Sequence, residues 1–260
     1  MFDNLCKFLA ETFSSDFASW LLGEPVTLTE LSPSELSVEP IRADALILLQ
    51  SDQVVLHLEF QTQPKSEIPF RMADYRLRVY RRFPNKHMNQ VVIYLQKTTS
   101  DLVQQNTFSL ERTYHEFDII RLWEQPTSVF LQYPGLLPFA VLSQTNDRTE
   151  TLRQVAQIIS NINDQRTQSN IAASTFILAG LVLKKDTIQQ LLRKELMQES
   201  VTYQALIDEG RAEGRAEGIR LVAVNLLREG MSREMVARLT GLSLEQVEQL
   251  EITISENSQE

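Results

Sequence analysis

Three residues carry the chemistry legible in this chain: Asp44, Glu59 and Gln61. They lie in one stretch, 42–61, which reads Arg-Ala-Asp-Ala-Leu-Ile-Leu-Leu-Gln, a Ser-Asp turn, then Gln-Val-Val-Leu-His-Leu-Glu-Phe-Gln. Apolar runs on both sides of a polar turn predict a hairpin of two strands. Such a hairpin sets the start of its first strand against the end of its second. Asp44 and Glu59, fifteen positions apart (59 − 44), are thereby brought together. Glu59 and Gln61 are two apart and share one face of the sheet. Two carboxylates on apolar strands are costly unless a positive group lies between them. Hard oxygen ligands suit Mg²⁺ as that group. The competing reading sets Asp44 on an exposed edge and gives Glu59 an ordinary ion pair.

The surroundings add a resemblance. An Asp, a hairpin, and then Glu-x-Lys or a variant of it form the signature of the PD-(D/E)XK nuclease superfamily. Arg42-Ala43-Asp44, His57-Leu58-Glu59-Phe60-Gln61, Arg71-Met72-Ala73-Asp74-Tyr75-Arg76-Leu77-Arg78 and Gln90-Val91-Val92-Ile93-Tyr94-Leu95 resemble its Rpn branch of recombination-promoting nucleases and transposase-like proteins. The resemblance covers residues 1–145 and extends more loosely to the tail. It implies a restriction-endonuclease-like α/β fold, a mixed sheet flanked by helices, with a helical C-terminal extension. It also implies a Mg²⁺- or Mn²⁺-dependent DNA endonuclease linked to recombination or transposition. Asp44, Glu59 and the Phe60 carbonyl would hold the cation, and an acid of the first helix, Glu11 or Asp3, would assist. Gln61 stands where most of the superfamily has lysine, as is common in the Rpn branch. An amide can orient water or phosphate but supplies neither charge nor a proton acceptor of lysine's kind. A second reading therefore stands beside the first: a DNA-binding or assembly protein on a nuclease-derived scaffold, without turnover.

The elements that must position these residues follow the hydrophobic pattern. Residues 3–22 carry Leu5, Phe8, Leu9, Phe13, Phe17, Trp20 and Leu21 at helical spacing, with Asp3 or Asn4 as cap and Gly23 and Pro25 beyond the end. Residues 26–31 alternate weakly as a strand, and 32–40 form an irregular connection. A helix over 69–83 begins at Pro69. The stretch 65–97 holds Lys65, Arg71, Arg76, Arg78, Arg81, Arg82, Lys86 and Lys97 against Glu67 and Asp74 only. Two readings stand for this basic helix. It is either a DNA-phosphate surface, with Arg71, Tyr75, Arg78, Arg81 and Arg82 as its contacts, or a solvated face laced with ion pairs. The apolar run 90–95 suits a strand buried on both faces, reached by a crossover that makes a parallel pair. A further pair of strands is expected over 108–111 and 114–123, with Asp118, Arg121 and Glu124 on a charged sheet edge. Residues 133–138 form a turn into an apolar segment.

Helical patterns follow over 152–162, 171–183 and 187–197. Residues 209–218 repeat Glu-Gly-Arg-Ala, a linker helix whose small residues also allow self-association through the C-terminal helices. The last segment resembles a helix-turn-helix, with Ser243 and Gln246 as a capping box. Its second helix, 244–251, bears three glutamates and no basic residue. A groove-reading helix needs donors for phosphates and base edges, so a packing module is expected rather than a DNA reader. The domain reading is thus 1–145 nuclease-like core, 146–200 helical extension, 201–252 linker helix and helix-turn-helix-like module, and 253–260 disordered tail.

Composition bounds the rest. The chain has 260 residues, a formal net charge of −9 and 43% hydrophobic residues. The acidic balance excludes a protein that coats nucleic acid with its whole surface, so DNA contact must be local. One cysteine, Cys6, leaves no intramolecular disulfide and no cysteine-based zinc cluster. His57, His87 and His115 share no metal spacing, and no nucleophile motif or Gly-rich phosphate loop accompanies them. No apolar run reaches the ~18–20 residues that span a membrane. The start lacks the basic and apolar regions of a secretion signal, so a cytoplasmic protein is expected.

Overall fold

The computed structural model describes residues 2–31, 47–197, 200, 204, 218–227 and 231–257. The chain divides into two compact units, Met1–Tyr203 and Gln204–Glu260. The first is a mixed α/β unit around one sheet, and the second is helical.

The sheet runs in the order β1 (Thr29–Glu30), β2 (Ile47–Gln50), β3 (Val54–Gln61), β4 (His87–Tyr94), β7 (Asp118–Arg121). The β1, β2 and β3 strands are antiparallel neighbours, whereas β3, β4 and β7 are parallel. The expected hairpin is present. Ile47 pairs with Leu58 and Gln50 with Val55, around a turn in which Ser51 N–H donates to the Val54 carbonyl (2.9 Å). Helix α3 (Ile68–Arg82) is the crossover from β3 to β4, with Pro69 in its first turn as its missing N–H allows. Seven of the eight β3 residues are buried, as a central strand requires.

The two sheet faces differ in character. Leu56, Leu58 and Phe60 point away from α3 into an apolar layer. There the Phe60 ring stacks on Phe139 (5.8 Å) and meets Phe17 edge-on (6.3 Å). That layer is formed by α1 (Phe2–Thr12), α2 (Ser14–Leu22) and a 3₁₀ segment, Pro134–Leu142, buried from Gly135 onward. Helices α5 (Arg148–Ser160), α6 (Gln165–Ala179) and α7 (Lys185–Leu191) follow a one-turn helix α4 (Thr127–Phe130). Side-chain caps from Asp147 and Asp164 start α5 and α6.

Several expectations need correction. The first helical pattern is broken at Phe13 (φ −117°, ψ 41°) rather than continuous over 3–22, and it starts at Phe2, ahead of both proposed caps. The break turns α2 so that Asp16 accepts the Gly135 N–H (2.8 Å) while Ser14 donates to the Leu28 carbonyl (3.1 Å). Burial raises the Asp16 pKa, and the Gly135 N–H opposes that shift. The strand expected over 114–123 is two strands. β6 (Thr113–Glu116) closes a small hairpin with β5 (Thr107–Leu110), and β7 leaves it for the edge of the main sheet. Phe117 marks the change, because its buried ring belongs to the layer under α3. The last helical pattern before residue 200 ends at Leu191 and is followed by a 3₁₀ turn, Lys194–Met197.

In the second unit, a helical stretch over 218–227 (α8) packs with α9 (Arg233–Thr240) and α10 (Leu244–Asn257) around Ala223, Val236 and Val247. Gly241 adopts φ +75° between α9 and α10, a conformation that favours glycine. The capping box forms, with the Gln246 N–H donating to Ser243 Oγ (3.2 Å) and the Ser243 N–H to Gln246 Oε1 (2.9 Å). Helix α10 continues to Asn257. The repeat at 209–217 lies outside the described residues.

Candidate functional site

The face of β3 beneath α3 carries Val55, His57, Glu59 and Gln61, because side chains two apart share a face. The last three are polar and buried, at 0%, 1% and 5% exposure. Polar groups so deep in a sheet must find partners. Gln61 Nε2 donates to Glu59 Oε1 at 2.9 Å. On the same oxygen, Arg71 Nη2 lies 3.0 Å away. Arg71 stands in the first turn of the crossover helix, above the C-terminal end of the strand it leaves. Its side chain is 26% exposed, so it links the buried carboxylate to solvent.

His57 is held from the neighbouring strand. Gln90 Nε2 donates to the Met72 carbonyl (2.8 Å) and faces His57 Nδ1 at 3.0 Å. A flipped amide would set its oxygen against the Met72 oxygen, so the nitrogen must face both. Nδ1 is then the acceptor, and the ring carries its proton on Nε2. Nε2 points at Glu59 Oε2 across 3.9 Å. Complete burial, aided by the charges of Arg71 and then His115, lowers the His57 pKa to about 3. The imidazole is therefore neutral, and its approach to Glu59 is not an ion pair. The Tyr75 ring meets His57 edge-on (5.2 Å). Burial is the main cause that raises the Tyr75 pKa, and the charge of the nearby Arg71 acts to lower it.

Of the residues singled out by sequence, Glu59 and Gln61 are in direct contact. Asp44 lies outside the described residues. Phe60 turns its ring to the opposite face, which leaves only its backbone carbonyl as a ligand toward this site. Glu11 is in α1, 3.6 Å from Lys7; burial raises its pKa against the pull of Lys7, with Glu30 adding to the rise. Asp3 lies in α1, and its side chain is outside the described residues. Among the described residues, no group of three His, Cys, Asp or Glu side chains is arranged to hold a metal ion.

The basic helix separates into three kinds of residue. Arg71 pairs with Glu59, and Tyr75 is a core residue beside Leu31, Leu48, Val55 and Val79. Arg78 Nε pairs with Asp74 one turn away (2.9 Å). Arg81 and Arg82 are exposed. The alternative readings from sequence, an ordinary ion pair for Glu59 and an ion-paired face for this helix, anticipated a partner for each, but not that Arg71 and Glu59 are partners of one another. Gln90 was also missed; a lone amide opening an apolar strand was its sign.

The fold and this site define a mixed-sheet α/β protein with a buried carboxylate–amide–guanidinium cluster on its central strand and a helical C-terminal unit. Residues 217–251 match the family model described as the Rpn/YhgA-like nuclease family, C-terminal HTH domain, which supports membership of the Rpn family. No curated protein and no solved structure matched the chain. The match suggests a nuclease-related or DNA-binding role. It attaches the helix-turn-helix description to the segment for which charge alone pointed to a packing module. In that segment Arg233 is engaged by Glu248 and Glu251 of α10. Among the described residues, no helix is long and apolar enough to cross a membrane.

Proposed function

We propose that this protein is a metal-dependent DNA endonuclease that hydrolyses phosphodiester bonds and serves recombination or transposition. The observation that carries the reading is Glu59. It is a buried carboxylate on the central strand, bonded to Gln61, and its compensating charge comes from a partly exposed arginine. In this reading a hard divalent cation would take the Glu59 carboxylate, the Phe60 carbonyl and Asp44 as its oxygen ligands. Mg²⁺ or Mn²⁺ held there would supply Lewis acidity toward water and phosphate. Gln61 orients the Glu59 carboxylate through its amide N–H. Arg71 supplies positive charge at the mouth of the site. Arg81 and Arg82, exposed at the end of α3, carry the local DNA-backbone contact that a chain of net charge −9 requires.

The test is nicking of supercoiled plasmid by purified protein with Mg²⁺ or Mn²⁺. Asp44→Ala and Glu59→Ala are each expected to abolish it. Equal cutting by wild type and Glu59→Ala would assign the activity to a contaminant.

A second reading is a nuclease-derived DNA-binding or assembly protein without turnover. Gln61 favours it, because the amide that replaces lysine donates to Glu59 instead of adding a charge to the site. Calorimetry separates the two. Mg²⁺ or Mn²⁺ binding that depends on Glu59 supports the nuclease, and its absence supports the scaffold.

A further inference from the structure

Among the described residues of the first unit, the exposed large apolar side chains are Phe70, Leu77, Tyr80, Leu110 and Tyr114. All five lie on α3 or on the β5–β6 hairpin, which touches the helix where Phe108 meets Phe70 edge-on (5.7 Å). On α3 itself, Phe70, Leu77 and Tyr80 are 58%, 65% and 55% exposed. Their spacing, i, i+7 and i+10, sets them along one side of the helix over roughly 15 Å. The opposite side, with Met72, Tyr75 and Val79, is the one that packs on the sheet. The exposed charged residues of α3 are Arg81 and Arg82, next to Tyr80 at the end of the stripe. Asp74, the acid on the same side, is held by Arg78 (2.9 Å). A contiguous apolar stripe on the solvent side of a helix marks an interaction surface.

Two rings, a leucine between them and two guanidinium groups at one end suit a particular class of partner. Unpaired bases stack on aromatic faces, and the phosphates that join them pair with arginine. A duplex keeps its bases stacked on one another, so it uses the arginines and leaves the rings idle. The chain's net charge of −9 opposes nucleic acid elsewhere, and the hairpin exposes Glu111 and Glu116 against Arg112. A strand is therefore confined to the helix side. We infer that the outer side of α3 is a stacking platform for single-stranded DNA. Phe70 and Tyr80 take bases, Leu77 packs between them, and Arg81 and Arg82 hold the phosphates. The inference rests on the DNA-binding part of the reading above and needs no metal ion. It names the form of DNA that the protein takes, a strand whose bases are unpaired.

The experiment measures, by fluorescence anisotropy on the full chain, the binding of a labelled oligo-dT strand and of a duplex of the same length. Salt is held at one concentration, and EDTA is present so that no strand is cut. Tyr80→Ala is expected to bind oligo-dT about tenfold more weakly or worse and to lose far less on the duplex. Tyr80→Phe, which keeps the ring, is expected to bind as wild type does. Arg81→Gln should weaken both. Wild-type affinity for oligo-dT in Tyr80→Ala overturns the platform, and so does an equal loss on strand and duplex. If the wild type binds the duplex but not oligo-dT, the platform is wrong, the DNA reading stands and the stripe belongs to a protein partner. Binding of neither overturns the platform and the DNA reading together. Should Tyr80→Ala fail to fold, Tyr80→Trp decides. Its indole emission, above that of Trp20 and Trp123, is expected to be quenched as oligo-dT is added. Emission that ignores the strand overturns the platform.

Discussion

Arg71 and Glu59 meet at 3.0 Å across the boundary between interior and solvent, the carboxylate 1% exposed and the guanidinium 26%. A carboxylate this deep in a sheet is tolerable only with a charge partner and hydrogen bonds, and it has both. The pair joins the central strand to the helix that covers it.

Breaking that pair from one side should therefore cost stability. Arg71→Ala is expected to lower the unfolding free energy by about 1–3 kcal/mol, less than a fully buried pair because the guanidinium is partly solvated. Glu59→Gln with Arg71→Ala should cost less than the sum of the two single changes. Urea unfolding of the four proteins measures this, and additive losses would contradict the pairing.

His57 makes stability depend on pH. Its pKa is about 3 in the folded protein against an ordinary 6.5. Between these values the unfolded chain binds more protons than the native one, so stability falls as the pH is lowered from 6.5 toward 3. The slope from this residue is up to about 1.4 kcal/mol per pH unit. Thermal unfolding from pH 7 to 4 should be shallower in His57→Gln than in wild type. Parallel profiles would remove His57 as the cause.

Gly135 is a packing requirement in the layer behind the site. A Cβ there would lie 2.2 Å from Phe13 Cβ and 2.9 Å from Asp16 Oδ2. Gly135→Ala must push apart α2 and the 3₁₀ segment, at an expected cost of about 1–3 kcal/mol. Asp16→Ala removes the acceptor of the Gly135 N–H and should cost about 1–3 kcal/mol. Chemical denaturation checks both, and wild-type midpoints would refute the contact.

Gln61→Lys tests what the amide does for catalysis. A lysine there would keep a donor beside Glu59 and match the residue type of the superfamily that residues 42–61 resemble. Plasmid nicking by this variant is expected to equal or exceed that of wild type. Loss of nicking in a folded variant would show that the amide itself is required.

The C-terminal helices carry the last prediction. The full chain is expected to self-associate through them, and a chain ending at Gln198 to sediment as a monomer. Equal association states in analytical ultracentrifugation would exclude the tail as the assembly element.

Local pattern was enough for much of this architecture. Alternation placed Glu59 and Gln61 on one face, since a strand has a period of two whatever surrounds it. The apolar run around Val91–Ile93 marked an inner strand, Pro69 marked a helix start, and Ser243 with Gln246 marked another. Each of these depends on residues a few positions apart. Other features depended on elements far apart in the chain. The break at Phe13 exists because Asp16 must reach Gly135, 119 positions away. The strand expected over 114–123 divides because Phe117 is drawn under α3. Most of all, the sequence marked the helix over 69–83 as basic but could not divide its residues. Packing against β3 buried Tyr75 in the core and brought Arg71 to Glu59, while Arg81 and Arg82 stayed in water. Charge and periodicity are properties of the chain, but the partner of a charge is settled by which surfaces meet when the helix docks on the sheet.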